Sequence, residues 1–219
     1  MASAAPMTSK AAFRYWLFAL ALSVAAVGLC IGYVDRPLAE FLEGHVRHTE
    51  FWVGLEIMLR PIALVVVAAL VLLIGCGVWR IAGRQLRPWT EMPLLYSWAT
   101  IWAVASEMIF KRIFGRGWPD PTFVREHLYG FHFLHGQTHW DSFPSGTTTV
   151  SMAMLSVLWI LQPRWRAPGL VVVVLLLAGV VVGNFHWLSD VFAGAFLGVT
   201  VGWATVRLLH PTNMLPGGK

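Results

Sequence analysis

Charge is what this sequence has least of. Only 12% of its 219 residues are Asp, Glu, Lys or Arg and 57% are hydrophobic, whereas a water-soluble domain carries roughly a quarter charged residues. That balance excludes an ordinary soluble domain and indicates an integral membrane protein. Acidic residues are scarcer than basic ones, 11 against 16, for a net charge of +5. In this setting the excess reads as topology and attraction to anionic lipid. No basic run interleaved with aromatics is present, so nucleic acid is excluded as a partner. Cysteine is nearly missing too: Cys30 and Cys76 each sit inside an apolar run, which rules out a disulfide framework and makes them packing residues. No internal repeat marks a solenoid.

What the chain does have is long stretches without charge. Residues 15–34 lie between Arg14 and Asp35, and 61–79 between Arg60 and Arg80; each matches the ~20 residues that cross a bilayer core. Further spans are expected over 92–114, 142–163, 167–185 and 187–208, giving an all-α bundle of six transmembrane helices. The first has too long an apolar part for a signal peptide and no small-residue cleavage site, so it is expected to stay uncleaved. Residues 1–12 are expected as a disordered tail, 13–210 as one membrane domain, and 211–219 as a C-terminal tail. The stretch 36–60, with His45 and His48, reads as an amphipathic interfacial segment.

Basic residues set the expected orientation. Six spans put Lys10, Arg14, Arg80, Arg84, Arg87, Arg164, Arg166, Arg207 and Lys219 on one side. Four of the remaining seven, Lys111, Arg112, Arg116 and Arg125, cluster in one loop with chemistry of its own. The positive-inside rule then places both termini in the cytoplasm, in a bacterial-type inner membrane, and the 111–141 and 185–190 connections outside.

Ionisable groups at the ends of membrane helices are costly without partners, and they point to function. Three groups stand out: "KRIFGRGWP" (111–119), "SFPSGTTT" (142–149) and "NFHWLSD" (184–190). All three fall on the same expected membrane face. His186 and Asp190 are four apart, so a helix from Trp187 onward puts both on one side. A carboxylate there fixes the imidazole tautomer and frees the other nitrogen as nucleophile or base; a capping and hydrogen-bonding role is the plainer reading of that spacing. Lys111, Arg112 and Arg116 supply fixed cations, while the Pro144-Ser145-Gly146 turn opens a helix whose free amides suit an anion. Glu107 and Lys111 also have ion-pair spacing. His132, His135, His139 and Asp141 have spacings that suit zinc, although an aromatic loop of this kind is more often a lid at headgroup depth, and no metal or other cofactor is expected. Trp118, Trp140 and Trp187 suit the interfacial belt.

These three motifs together resemble the phosphatidic acid phosphatase type 2 superfamily of membrane lipid phosphatases, over about residues 90–208. The family's Lys, six residues, Arg-Pro appears with Lys111 and Pro119 in place and Trp118 instead of Arg. Its Pro-Ser-Gly-His appears as Pro144, Ser145, Gly146 and Thr147. Its Ser-Arg, five residues, His, three residues, Asp appears with His186 and Asp190, but with Gly179 and Val180 for Ser-Arg.

The resemblance implies a metal-independent lipid phosphatase or diphosphatase whose site faces outside. His186 would form a phosphohistidine, Asp190 would orient it, and Lys111, Ser145 and the Gly146 amide would hold phosphoryl oxygens. Arg112 or Arg116 is expected to replace the arginine lost at Trp118, and Arg125 is a candidate for the one lost at Val180. Plausible substrates are undecaprenyl diphosphate, phosphatidylglycerol phosphate, phosphatidate and the lipid A phosphate. Thr147 stands where the family's histidine protonates the leaving oxygen, and a hydroxyl is too weak an acid for that. Three explanations compete: a diphosphate substrate with a better leaving group, His139 or His135 as auxiliary acid, or a weak or inactive relative. Rival readings are a lipid phosphotransferase and a non-catalytic lipid-binding or transport protein of the same fold. The concentration of charge at one membrane face favours a surface site over transport.

Overall fold

The computed structural model describes residues 9–46, 50–59, 61–134 and 139–210. Eight α-helices occur among them: α1 (Ser9–Leu29), α2 (Asp35–His45), α3 (Glu50–Leu59), α4 (Pro61–Ile81), α5 (Glu91–Phe114), α6 (Gly146–Leu161), α7 (Arg166–Val182) and α8 (Leu188–Leu209). The described residues contain helices and loops and one isolated β-bridge, Arg116 with Phe131. The all-α expectation is met.

Among the described residues, four of the six expected spans are long and apolar enough to cross a membrane: Lys10–His45, Pro61–Ile81, Pro163–Val182 and Leu188–Leu209. α5 has ample length, but Glu91, Glu107, Lys111 and Arg112 dilute it. α6 has 16 residues, and at 1.5 Å per residue it covers only ~24 Å of a ~30 Å core. The first span also runs longer than its charge-free stretch. Helix begins at Ser9, inside the expected tail, and passes through a π-turn at Cys30–Val34 into α2. On α2 the residues Asp35, Ala39 and Leu42 share one face and are buried, while His48 lies outside the described residues.

Local chemistry explains where the central helices start and stop. α5 opens on Glu91 and ends on Lys111 and Arg112, complementing its dipole at both ends. It terminates at Gly115, whose φ of +54° lies in the left-handed region; a Cβ there would come within 1.9 Å of the His132 carbonyl oxygen. α6 is capped by Ser145, which accepts from the Thr148 amide at 3.4 Å. At the start of α8 the Asp190 carboxylate accepts the Trp187 amide at 3.3 Å.

Small residues hold α6 and α8 close. Gly194, Gly198 and Gly202 recur every four residues along α8, and Cβ atoms on them would lie 2.7, 2.3 and 2.3 Å from the carbonyl oxygens of Ser145, Thr149 and Ala153. Backbone therefore touches backbone along this seam. Leu95, Ala99 and Ala103 of α5, Val150, Ala153 and Val157 of α6 and Val206 of α8 form the core beside it. In the apolar window of α8 33% of residues are buried, against 6% in α4, so α8 is central and α4 offers its surface to lipid.

The seam makes a direct prediction. Gly198→Leu must push α6 away from α8 and should cost about 1–3 kcal/mol, read as a lower thermal midpoint in detergent. Gly75→Ala, on a part of α4 with nothing within 4 Å, should leave the midpoint unchanged or slightly higher.

Candidate active site

The loop after α5 turns at Gly115 and folds back on itself. The His132 amide donates to the Gly115 carbonyl at 2.7 Å and the Leu134 amide to the Ile113 carbonyl at 2.9 Å. Phe114, Phe131, Phe133 and Phe143 pack edge to face and stacked within it. The chain then returns to α6 along Arg116, whose carbonyl accepts the Ser142 amide at 3.0 Å. The folding of this strap carries residue 116 inward.

Arg116 is 1% exposed and lies between two carboxylates. One Nη is 2.5 Å from Asp190 Oδ1 and the other 2.7 Å from Asp35 Oδ2. The guanidinium also donates to Ser189 Oγ at 2.5 Å and to the Tyr129 hydroxyl at 3.3 Å. Its faces meet the rings of Trp187 and Phe131. Burial works against the charge, but Asp190 and Asp35 outweigh it and hold the Arg116 pKa above its ordinary value. Asp35 is closed off in turn: Oδ1 accepts the Ser189 amide at 3.1 Å and Oδ2 the Ser189 hydroxyl.

Asp190 carries this cluster to His186. Its Oδ2 accepts the Ser142 hydroxyl at 2.5 Å and lies 3.5 Å from His186 Nδ1. Ser142 Oγ is also 3.4 Å from Nδ1. Two oxygens on Nδ1 favour a proton there and leave Nε2 as the lone-pair nitrogen. The imidazole is 8% exposed and packs on Trp118 with ring centres 4.6 Å apart. Burial pushes the His186 pKa below its ordinary 6.5, against the pull of Asp190, and Lys111 lowers it further.

The other expected site residues take different positions. Lys111 is half-buried, with Nζ 3.7 Å from Glu107 Oε1 and 5.9 Å from the centre of the Trp118 ring, so the expected α5 ion pair forms at the rim of the site. Arg112 is exposed. Arg116 is paired with both Asp190 and Asp35, on the side of Asp190 away from His186. Ser145 is fully buried; its hydroxyl accepts from the Thr148 amide and hydroxyl, and its amide donates to the Asp190 carbonyl at 3.1 Å. It joins α6 to α8 as well as capping the helix. Gly146 and Thr147 are the half-buried first residues of α6.

His139 has an exposed side chain, and its carbonyl accepts from the Trp118 amide at 3.3 Å and Thr122 Oγ1 at 3.1 Å. His135 lies outside the described residues. His132 stacks on Trp140, and no metal-ligating trio of His, Cys, Asp or Glu occurs among the described residues. Arg125 is exposed and paired with Asp120 at 2.8 Å, while Val180 is buried at 1%.

Sequence reasoning missed Asp35, Ser142 and Ser189. Asp35 did carry a signal, a lone carboxylate ending a charge-free span, but it was used only to bound that span. Nothing in the pattern singled out the two serines. Trp118, read as a belt residue, packs against His186 and donates Nε1–H to Asp141 Oδ1 at 2.7 Å.

The three segments that the sequence separates by dozens of residues therefore meet at one end of α5, α6 and α8. No curated protein and no solved structure matches the chain. The sequence model of the PAP2 superfamily matches residues 92–214, more than half the chain and all three segments. This chain belongs to the PAP2 superfamily.

Proposed function

We propose that the protein is a membrane phosphatase that hydrolyses a lipid phosphate or diphosphate at the outer face through a phosphohistidine on His186. The observation that carries this reading is the His186–Asp190–Ser142 arrangement, which favours a neutral imidazole with a free Nε2. Family membership supports phosphate-ester hydrolysis. Nε2 bonds to phosphorus as the leaving oxygen departs, and water then attacks phosphorus, breaking the phosphorus–nitrogen bond to release phosphate and free His186. Lys111 and the free amides of Gly146 and Thr147 at the start of α6 stabilise the phosphoryl oxygens.

Arg116 and Asp35 do not touch substrate in this reading. They are positioning residues: Asp35 holds Arg116, Arg116 holds Asp190, and Asp190 holds the imidazole. Trp118 keeps water from the ring, which keeps His186 neutral and nucleophilic near pH 7. Both termini are placed in the cytoplasm by the basic-residue bias, and the apolar faces of α4 and α7 suit lipid contact. A phosphotransferase would share every step up to the phosphohistidine and differ only in its acceptor.

Phosphate release from a detergent-solubilised panel of lipid phosphates and diphosphates tests the reading. His186→Ala should lower turnover by at least ~10³-fold; turnover unaffected by that change would remove the nucleophile. EDTA should leave the rate unchanged, and strong inhibition would reinstate a metal.

The acid limb of kcat/KM should have its midpoint below 6.5, because protonation removes the nucleophile and burial disfavours protonation. Trp118→Ala admits water and should move that limb to higher pH. Asp35→Asn should lower the thermal midpoint, since disrupting a buried ion pair costs about 3–5 kcal/mol, and should reduce kcat with KM nearly unchanged.

A further inference from the structure

Glu107 has no part in the steps above, yet its carboxyl group faces the same site. The residue is 9% exposed, one turn before Lys111 on α5. Its Oε1 is 3.7 Å from Lys111 Nζ, while Oε2 is enclosed and has no hydrogen-bond partner. The group lies directly over Gly146: a Cβ there would come within 2.0 Å of Oε2 and 2.7 Å of both Cδ and Oε1. A side chain at position 146 would displace it. A buried carboxyl oxygen with no donor is costly, and this one hangs over the first turn of α6, next to the residue where the family's leaving-group acid is replaced by Thr147.

Resting on the phosphatase reading, we propose that Glu107 is the proton donor to the leaving oxygen, filling the role that Thr147 vacates, so that the enzyme cleaves alkyl phosphate monoesters as well as diphosphates. A phosphate docking on Lys111 and the α6 amides takes Lys111 from Glu107 and sets a second anion beside the carboxyl group. Two such anions do not both remain ionised, so a proton stays with the pair. His186 Nε2 then bonds to phosphorus as the phosphorus–oxygen bond breaks, and the Glu107 carboxyl proton passes to the departing alkoxide, giving the alcohol. In the second half the Glu107 carboxylate takes a proton from water as that oxygen bonds to phosphorus and the phosphorus–nitrogen bond breaks. Phosphate leaves with Glu107 reprotonated and His186 restored.

Leaving-group dependence tests this with the full-length protein in detergent, using dioctanoyl phosphatidate, which expels an alkoxide, and p-nitrophenyl phosphate, which expels a stabilised phenoxide needing little acid. Glu107→Gln should lower kcat/KM on phosphatidate by about 10²-fold or more while p-nitrophenyl phosphate loses about fivefold or less. The retained activity also shows that the variant folds. Adding Thr147→His to Glu107→Gln should restore phosphatidate turnover. Equal losses on both esters, or no rescue by the histidine, would overturn the proposal and leave Glu107 as a holder of Lys111. Wild-type turnover that survives His186→Ala, or none on either ester, would instead overturn the phosphatase reading and this role with it, a result that does not involve position 107.

Discussion

A single buried guanidinium, Arg116, fixes the geometry on which the site depends. It is enclosed with two carboxylates, Asp35 from the N-terminal rod and Asp190 from α8, so three distant parts of the chain are tied to one point. Charges in such a place are tolerated only when nearly every polar atom is satisfied. Ser189, Ser142, Tyr129 and the Trp187 amide supply most of the remaining hydrogen bonds, and only the Arg116 Nε–H among the guanidinium donors lacks a partner. The same bonds that remove the cost of burial fix the direction of the Asp190 carboxylate. The tilt and tautomer of the His186 ring follow from it.

A second constraint sets the position of the α6 turn against the start of α8. The glycines of α8 let α6 approach to backbone contact, and the Ser145 amide closes the upper end of the seam on the Asp190 carbonyl. The first amides of α6 and the imidazole just before α8 are thus carried by two helices that cannot slide independently. Bulk along the seam would shift the first turn of α6 relative to His186, so packing in the apolar core and alignment in the polar site are the same physical problem.

Much of this was legible in the sequence, and the limits have physical causes. His186 and Asp190 followed from helical spacing, and the turn at Gly146 from its residue types. The helical class followed from the charge-free runs, and four of the six expected spans are long and apolar enough among the described residues. Polar residues on α5 and the shortness of α6 are compatible with helices enclosed by others, and hydropathy registers only lipid exposure. The partners of Arg116 were not legible for a different reason: spacing shows which residues are near one another in the chain, but not which of several anions a cation will satisfy. Asp35 lies outside the stretch matched by the family, and only folding brings it to residue 116.

The contrast between the two charged groups at this end of the bundle suggests how rigidity and exchange are divided. The lower group is locked, with an Arg whose planar donors match two carboxylates at 2.5 and 2.7 Å. The upper one is loose: a flexible Lys111 at 3.7 Å from Glu107, with one carboxyl oxygen unbonded. A site that must orient an imidazole requires the first arrangement, because any play there misdirects the nucleophile. A site that must accept an anion requires the second, since a fully satisfied lysine would have to break good bonds to bind phosphate. Trp118 lies between the two, its ring against His186 on one side and within reach of Lys111 on the other. An arginine at that position would add a cation beside His186 and disfavour its protonation electrostatically; the indole disfavours it by excluding water.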